Sequence, residues 1–434
     1  MGSAEPAAGL IGSDTVRVAL RGGDAEKPLR IAMMTNLFHP VATGSSTQVQ
    51  GLAKALAALG HHVIVITAHV DSATPAHERM DGFEVFRIPA LHLPKMAISL
   101  NFPWLNWTFW PKNLRRMETI LREHRIDLLH VHNHMFDMAF AGRVLGRRLG
   151  LPVVVTMHTV IKHANAVYDA LLRFVDGWLL RRLVVRHADC VICPDNNMNA
   201  YVVERFQRTD TRVVTYGVDE PDFVDEAEVE ALRREYGLSG HKVIVSIGHV
   251  HAIRNRHELV RALPLLERRI PNVKLLIIGG VFDGSPLKLS EELGVGDHVI
   301  FAGAQPRRRI SAFLRVADAE AHWLNQDEGT WSSPGLASME AMFAGLPVFT
   351  VAPANIYGDG VLVNGRNVLL VQRDNIEALA DKLYAVLSDR SLAASIGAEA
   401  ARTCQRYFSW PHIAQRTSGT YRELVLDTNR RKYE

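Results

Sequence analysis

Cysteine is scarce: 434 residues contain three, Cys190, Cys193 and Cys404. Three cannot form a disulfide framework, and so few suits a reducing compartment. Cys190-Val-Ile-Cys193 has the spacing of a redox motif. It lies in an apolar run that reads as a strand, and no second pair completes a zinc site, so it reads as two buried structural thiols. Long apolar runs are also missing. None reaches the roughly 18 residues of a membrane-spanning helix, and the start of the chain lacks the basic-then-apolar order of a secretory leader. Pro6 stands where a myristoylation motif after Met1-Gly2 wants Ser or Thr. These absences predict a cytoplasmic protein. No charge of one sign dominates: 49 Lys plus Arg against 46 Asp plus Glu leave a formal +3, which makes no case for nucleic acid as a partner. No Gly-x-Gly-x-x-Gly or Walker pattern follows a strand, so a nicotinamide dehydrogenase or P-loop ATPase is unsupported. No carboxylate pair at fixed spacing announces a covalent nucleophile.

Apolar residues make up 47% of the chain and charged residues 22%, enough apolar surface for two ordinary cores. Residues 1–27 lack any sustained period and read as a disordered tail. From Leu29 the chain alternates unbroken apolar runs with helical patterns: Leu29 to Thr35, His62 to Ala68, Asp127 to Val131, Pro152 to Met157 and Asp189 to Cys193. Runs without alternation belong to parallel strands covered on both faces. A second series runs from Lys242 to Gly248, Val273 to Gly279, His298 to Ala302, Ala319 to Leu324 and Leu346 to Val351. The expected fold class is α/β: two Rossmann-like, doubly wound parallel-sheet domains facing a cleft. The expected boundaries are 28–215 for the first domain, 216–400 for the second, and 401–434 for a closing helix that packs back on the first. In such sheets, ligands sit beyond the carboxyl ends of the strands.

Ser332-Ser333-Pro334-Gly335 leads into Leu-Ala-Ser-Met-Glu340-Ala-Met-Phe-Ala-Gly345-Leu-Pro-Val. Ser333 is the expected N-cap, Pro334 the first helical residue and Gly345 the stop. A helix start aimed into a cleft offers free N–H groups to a diphosphate. Glu340 on a buried face needs a partner. This helix is similar to the Glu-Ala-Met/Gly-x-Pro-Val signature of retaining glycosyltransferases of family 4, with the GT-B fold. Further markers of the resemblance are Thr43-Gly44-Ser45, Asp127 to His132, Val155 to His158, Tyr216-Gly217-Val218-Asp219, Ser246-Ile-Gly248, Phe301-Ala-Gly303 and Phe408-Ser409-Trp410.

The resemblance implies roles at matching positions. Glu340 would hold the ribose of a sugar nucleotide. The family's first motif Glu falls on Ser332, a departure for which Asp327 or Glu328 are nearby substitutes. The family's basic pair falls on His249 and Arg254, with Arg256 close by. A fixed guanidinium suits Arg254 to a departing diphosphate. Gly248 belongs to the same donor loop, with Ser333 and Gly335 at the helix start, while Gly44 and Ser45 form a small-residue turn that lets backbone approach a phosphate. His158, at a strand end, would help place the transferred sugar. No cofactor is required and no metal is expected, the His130, His132, His134 cluster included.

The run Ile98 to Trp110 is rich in aromatics and precedes Lys112, Arg115 and Arg116. Trp104, Trp107 and Trp110 beside cations suit an acceptor pocket or an anionic membrane interface. The resulting expectation is a hexosyltransferase taking UDP- or GDP-hexose as donor and a lipid, glycan or small molecule as acceptor. A catalytically silent sugar-nucleotide-binding protein and a sugar-nucleotide epimerase of the same fold are the alternatives.

Overall fold

The computed structural model describes residues 27–41, 43–93, 105–161, 165–251, 254, 256–322, 324 and 333–433. The first half contributes strands β1 (Arg30–Thr35), β2 (His62–His69), β3 (His77–Met80), β4 (Phe83–Pro89), β5 (Leu91–Leu93), β6 (Leu105–Trp107), β7 (Leu128–His132), β8 (Val153–Thr156), β9 (Cys190–Cys193) and β10 (Thr211–Val213). The second half contributes β11 (Lys242–Ile247), β12 (Val273–Ile278), β13 (Val299–Gly303), β14 (Ala319–Ala321), β15 (Val348–Thr350) and β16 (Leu369–Leu370). They form an eight-stranded sheet in the order β10-β9-β8-β7-β1-β2-β4-β3, a six-stranded sheet in the order β13-β12-β11-β14-β15-β16, and the hairpin β5-β6. Only β3 runs antiparallel to its neighbour in the two large sheets. Both are doubly wound, with apolar clusters on each face of each sheet.

In each sheet the winding reverses direction once, between β1 and β7 in the first and between β11 and β14 in the second. Loops leaving the two strands at such a point diverge to opposite faces and open a crevice between them. The strand ends seen in the sequence agree with these elements to within a few residues. The edge strand β3, with its exposed alternate positions, the seven-residue β4 beside it, the hairpin strands β5 and β6, and the short β10 and β16 went unrecognised.

The helix Trp410–Tyr433 packs against the first helix, Gly44–Ala58, and puts Ile413, Ala414 and Tyr421 into the first sheet's core. The Trp410 ring lies between Gly51 and Gly217: an added Cβ would stand 2.0 Å from it at Gly51 and 2.2 Å at Gly217. Glycine is required there by space alone. Gln48 exchanges two hydrogen bonds with the Gly217 backbone, at 2.9 and 3.1 Å. On the other side, Asn196 donates from its backbone to Ile356 O (2.8 Å) and from its side chain to Asn355 O (2.6 Å). The two halves therefore touch at several named points around the cleft. Cys190, Cys193 and Cys404 are buried and free, and burial pushes the Cys190 thiol up to about 11 and Cys193 and Cys404 up as well. Inert structural thiols follow.

Candidate functional site

The reversal between β11 and β14 brings together residues 74 positions apart: Gly248 after β11 and His322 after β14. Gly248 has φ of +133°, and an added Cβ would fall 2.2 Å from Arg254 Nη1 and 2.4 Å from His322 Cε1. Only glycine fits this turn. Arg254 lies against His322, Nη1 to Nε2. His322 in turn stands 3.4 Å from where a Cβ on Gly335 would be. The guanidinium, the imidazole and the start of the helix Leu336–Phe343 thus share one spot at the carboxyl end of the second sheet.

Arg256 lies deeper and is 1% exposed. It donates to Ser246 Oγ (3.1 Å), His249 O (2.9 Å) and Gly248 O (2.6 Å), and its Nη2 is 3.1 Å from His322 Nδ1. Its chemistry is that of a latch for the loop, not of a cation facing the cleft. His249 accepts from Gly280 N–H at 3.2 Å and meets Phe282 edge-on, so its ring braces the neighbouring loop. Burial lowers Arg254 to about 10 and Arg256 to about 9, which leaves both charged at neutral pH, and holds His322 neutral.

Beneath them, Glu320 on β14 is fully buried and neither carboxylate oxygen closes a hydrogen bond of ordinary length. Burial raises it to about 8, with the Ser338 hydroxyl and both guanidinium groups opposing the rise. Between the ordinary carboxylate range and about pH 8, the folded chain holds a proton that the unfolded chain has released, so stability falls as pH rises through that window. Glu320→Gln, which removes the ionisation but keeps the shape, should match wild type in melting temperature near pH 4 and exceed it at pH 8.5. Parallel melting curves across the range would refute this.

The helix Leu336–Phe343 starts later than its sequence suggests. Gly335 is the N-cap and no side chain caps it. Ser333 instead lies near Asp195 of the first half and Tyr357, where its hydroxyl opposes the rise that burial imposes on both. Burial raises Asp195 to about 6. Pro334 is outside the helix, and its carbonyl accepts from Tyr357 (3.2 Å). Ser332, with Asp327 and Glu328, lies outside the described residues. Glu340 does have a partner: Arg307 Nη1 is 2.5 Å from Oε2, and Arg307 also sits 3.6 Å from Asp219. Asp219 accepts from the Trp410 indole N–H at 2.8 Å. Burial raises the Glu340 carboxyl while Arg307 lowers it, and the net is a rise.

On the facing side, Thr43 caps the first helix in a reciprocal capping box with Ser46. Gly44 opens on empty space, and the Ser45 hydroxyl is 3.1 Å from that of Thr43. His158 follows β8, with Nδ1 2.9 Å from the Tyr216 hydroxyl and Nε2 3.0 Å from His132 Nδ1. His130 bonds Thr156 (2.6 Å) and Tyr421 (2.5 Å). Burial lowers His130 and His158 to about 3 and His132 far down too, so this is a neutral network. The cavity it lines is about 30 Å³, room for water and not for a sugar. His134 turns away to Asp176 at 2.7 Å. Among the described residues, one trio of metal-ligating types, His62, Glu84 and His124, lies together near the amino ends of β2 and β4, away from the crevice. There the His62 and His124 rings already bond each other at 3.0 Å.

Trp107, in β6, is 42% exposed, whereas Trp110 is half-buried at the start of the helix Pro111–Glu123. Trp104 lies outside the described residues. Sequence reasoning missed His322, Glu320, Arg307 and Asp195. A lone carboxylate within Ala319-Glu-Ala-His322, a strand otherwise lined with small apolar residues, was the available signal for the first two.

Two family models match: residues 43–217 fit the glycosyl transferase 4-like domain, and residues 228–403 fit the glycosyl transferases group 1. D-inositol 3-phosphate glycosyltransferase of Kribbella flavida is 25% identical over 421 residues, 92% of this chain and 96% of that protein. Alpha-monoglucosyldiacylglycerol synthase of Streptococcus pneumoniae is 22% identical over 344 residues, 76% of this chain and 72% of that protein. The solved structure of HepE from Anabaena in complex with UDP-glucose superposes with a TM-score of 0.65 at 18% identity, covering 90% of this chain and 99% of that one.

Proposed function

The chain belongs to the family-4 glycosyltransferases, the glycosyl transferases group 1, and on that premise we propose that it moves a hexose, with retention, from UDP- or GDP-hexose to a lipid, glycan or small-molecule acceptor. The observation that carries this reading is the meeting of Arg254, His322 and the Gly335 helix start at the reversal of the second sheet. A neutral imidazole has one acceptor nitrogen, yet His322 has a guanidinium on each side. Both contacts cannot be hydrogen bonds at once, and an anion at Arg254 relieves the conflict. A diphosphate fits there, with the helix N–H groups as further donors.

When the bond between C1 and the diphosphate oxygen breaks, the acceptor oxygen bonds C1, and the acceptor's proton passes to the departing phosphate or to solvent. Negative charge grows on the diphosphate, where Arg254 and the helix start stabilise it. Glu340 accepts from the ribose hydroxyls, and it shares its charge with Arg307 until the donor arrives. His158, kept neutral and held at both ring nitrogens by Tyr216 and His132, braces the facing wall of the cleft and leaves no free nitrogen for the hexose. The metal-free chemistry rests on these fixed cations and dipoles. UDP-glucose is bound in the Anabaena structure, and an acyl glycerol lipid is the glucosylated molecule named for the pneumococcal relative, which favours a uridine donor and keeps a lipid acceptor in view.

Thermal-shift screening of the full chain with UDP-, GDP- and ADP-hexoses tests the donor class, since a ligand of the folded state alone raises its apparent stability. A shift with none of them overturns the reading. Glu340→Ala should weaken the best nucleotide about tenfold or more, the loss of a hydrogen bond to a charged group. Unchanged affinity in calorimetry would remove the ribose role.

A further inference from the structure

The most exposed apolar surface among the described residues lies on one short segment. The helix Ala166–Phe174 has no buried residue and runs on into a wider turn, Val175–Leu180. Val167 is 76% exposed, Leu171 56%, Phe174 61% and Trp178 46%, with Tyr168 beside them. Spacings of four, three and four put the first four in a single stripe along the helix. Phe174 and Trp178 are stacked, with ring centroids 5.7 Å apart.

The segment is firmly built. Asn165 caps its start through Val167 and Tyr168 N–H, at 3.0 and 3.3 Å. Asp176 anchors its far end from the buried side, taking His134 and the Tyr201 hydroxyl. A well-formed helix that turns its large apolar side chains to water is an interaction surface.

We propose that this stripe docks on an anionic lipid bilayer. Charge complementarity selects that occupant. Asp169 is neutralised by Arg173 at 2.8 Å and Asp176 is buried, so the exposed charges left along the element are cations. Arg182 lies over the Trp178 ring at 4.7 Å, and Arg186 follows, exposed, one turn on. Aliphatic and aromatic side chains in one row, with tryptophan and arginine at one end, match the boundary between acyl chains and charged headgroups. The stripe follows the His158 loop in the chain, so docking there would present the first half's side of the cleft to the lipid surface. That last step rests on the glycosyltransferase reading; the docking itself does not.

Cosedimentation of the full chain with phosphatidylglycerol/phosphatidylcholine vesicles, and with phosphatidylcholine alone, tests the proposal. Wild type should bind the anionic vesicles. The variant Leu171→Ser/Phe174→Ser/Trp178→Ser should partition at least about tenfold less, and Arg182→Gln/Arg186→Gln should lose about fivefold for each cation removed. All five positions are exposed, and an unchanged circular dichroism spectrum and melting temperature confirm that the variants fold. Wild type that ignores anionic vesicles, or a triple variant that binds as well as wild type, overturns the proposal. So does a wild-type dimer that the triple substitution makes monomeric, which assigns the stripe to a second copy. Loss of vesicle binding in Trp107→Ala/Trp110→Ala with full binding in the triple variant places the contact on the other aromatic run and likewise overturns it. Vesicle binding without any nucleotide-sugar binding leaves the docking standing and removes the glycosyltransferase reading.

Discussion

Arg254→Ala lowers kcat about a hundred- to a thousandfold, with a smaller change in the donor KM. Removing one fixed donor to developing negative charge costs on the order of 3–4 kcal/mol of transition-state stabilisation when the site is dry. Arg254 meets that condition: burial lowers it to about 10 without discharging it, and its geometry is set by His322 and by the absence of a side chain on Gly248. Arg254→Lys should recover only part of the rate, since an ammonium supplies charge without the planar fork that grips two phosphate oxygens. Single-turnover measurement with the best donor separates the cases. Equal loss of donor affinity and no loss of rate once bound would show that Arg254 only holds the ground state.

Gly397→Val damages folding and donor binding together. An added Cβ at Gly397 would lie 1.8 Å from the Gly345 carbonyl oxygen, a backbone atom that cannot rotate aside. Gly345 has φ of +80° and ends the helix that carries Glu340. Valine forces the helix Arg390–Tyr407 away from that turn at a cost of about 3 kcal/mol or more. In a domain of this size that is a fall of roughly 6–12 °C in melting temperature. Nucleotide affinity should drop as well, because the displaced turn shifts Glu340 off Arg307. Gly345→Ala, which adds strain at positive φ but meets no atom closer than 3.8 Å, should cost clearly less. Equal melting temperatures for Gly397→Val and wild type would refute the contact.

The sheets could be read from the sequence because parallel strands such as β1 and β2 are apolar on both faces and stand out as unbroken runs. Strands at an edge, such as β3 with its alternate positions exposed, carry no such mark. Arg254 was visible through the family resemblance at its place after β11, and Glu340 through the helix around it. His322 and Glu320 were not. Their partners are brought to them by the order of the strands, and nothing local in Ala319 to His322 says that β14 will lie beside β11. The N-cap was misplaced by two residues because Ser333 and Pro334 have suitable types, while Gly335 has the geometry. The stripe at Val167 to Trp178 has the period of a core helix, and sequence cannot say that no partner covers it.

The closing helix makes the order of synthesis matter. Ile413, Ala414 and Tyr421 complete the core of the sheet built from the chain's opening strands, and Tyr421 bonds His130. At a ribosomal pace of roughly 5–20 residues per second, the stretch from β10 to that helix takes on the order of ten to forty seconds to emerge. Throughout that wait the first half has a gap along Gly44–Ala58, open to chaperones and to any other apolar surface. The second half has its own core before the closing helix appears and takes from it chiefly the Trp410 bond to Asp219 and the ring contact of His412 with Tyr407. The half that is made first is the last to be completed, and a truncation before Trp410 strands it in the state it occupies on the ribosome.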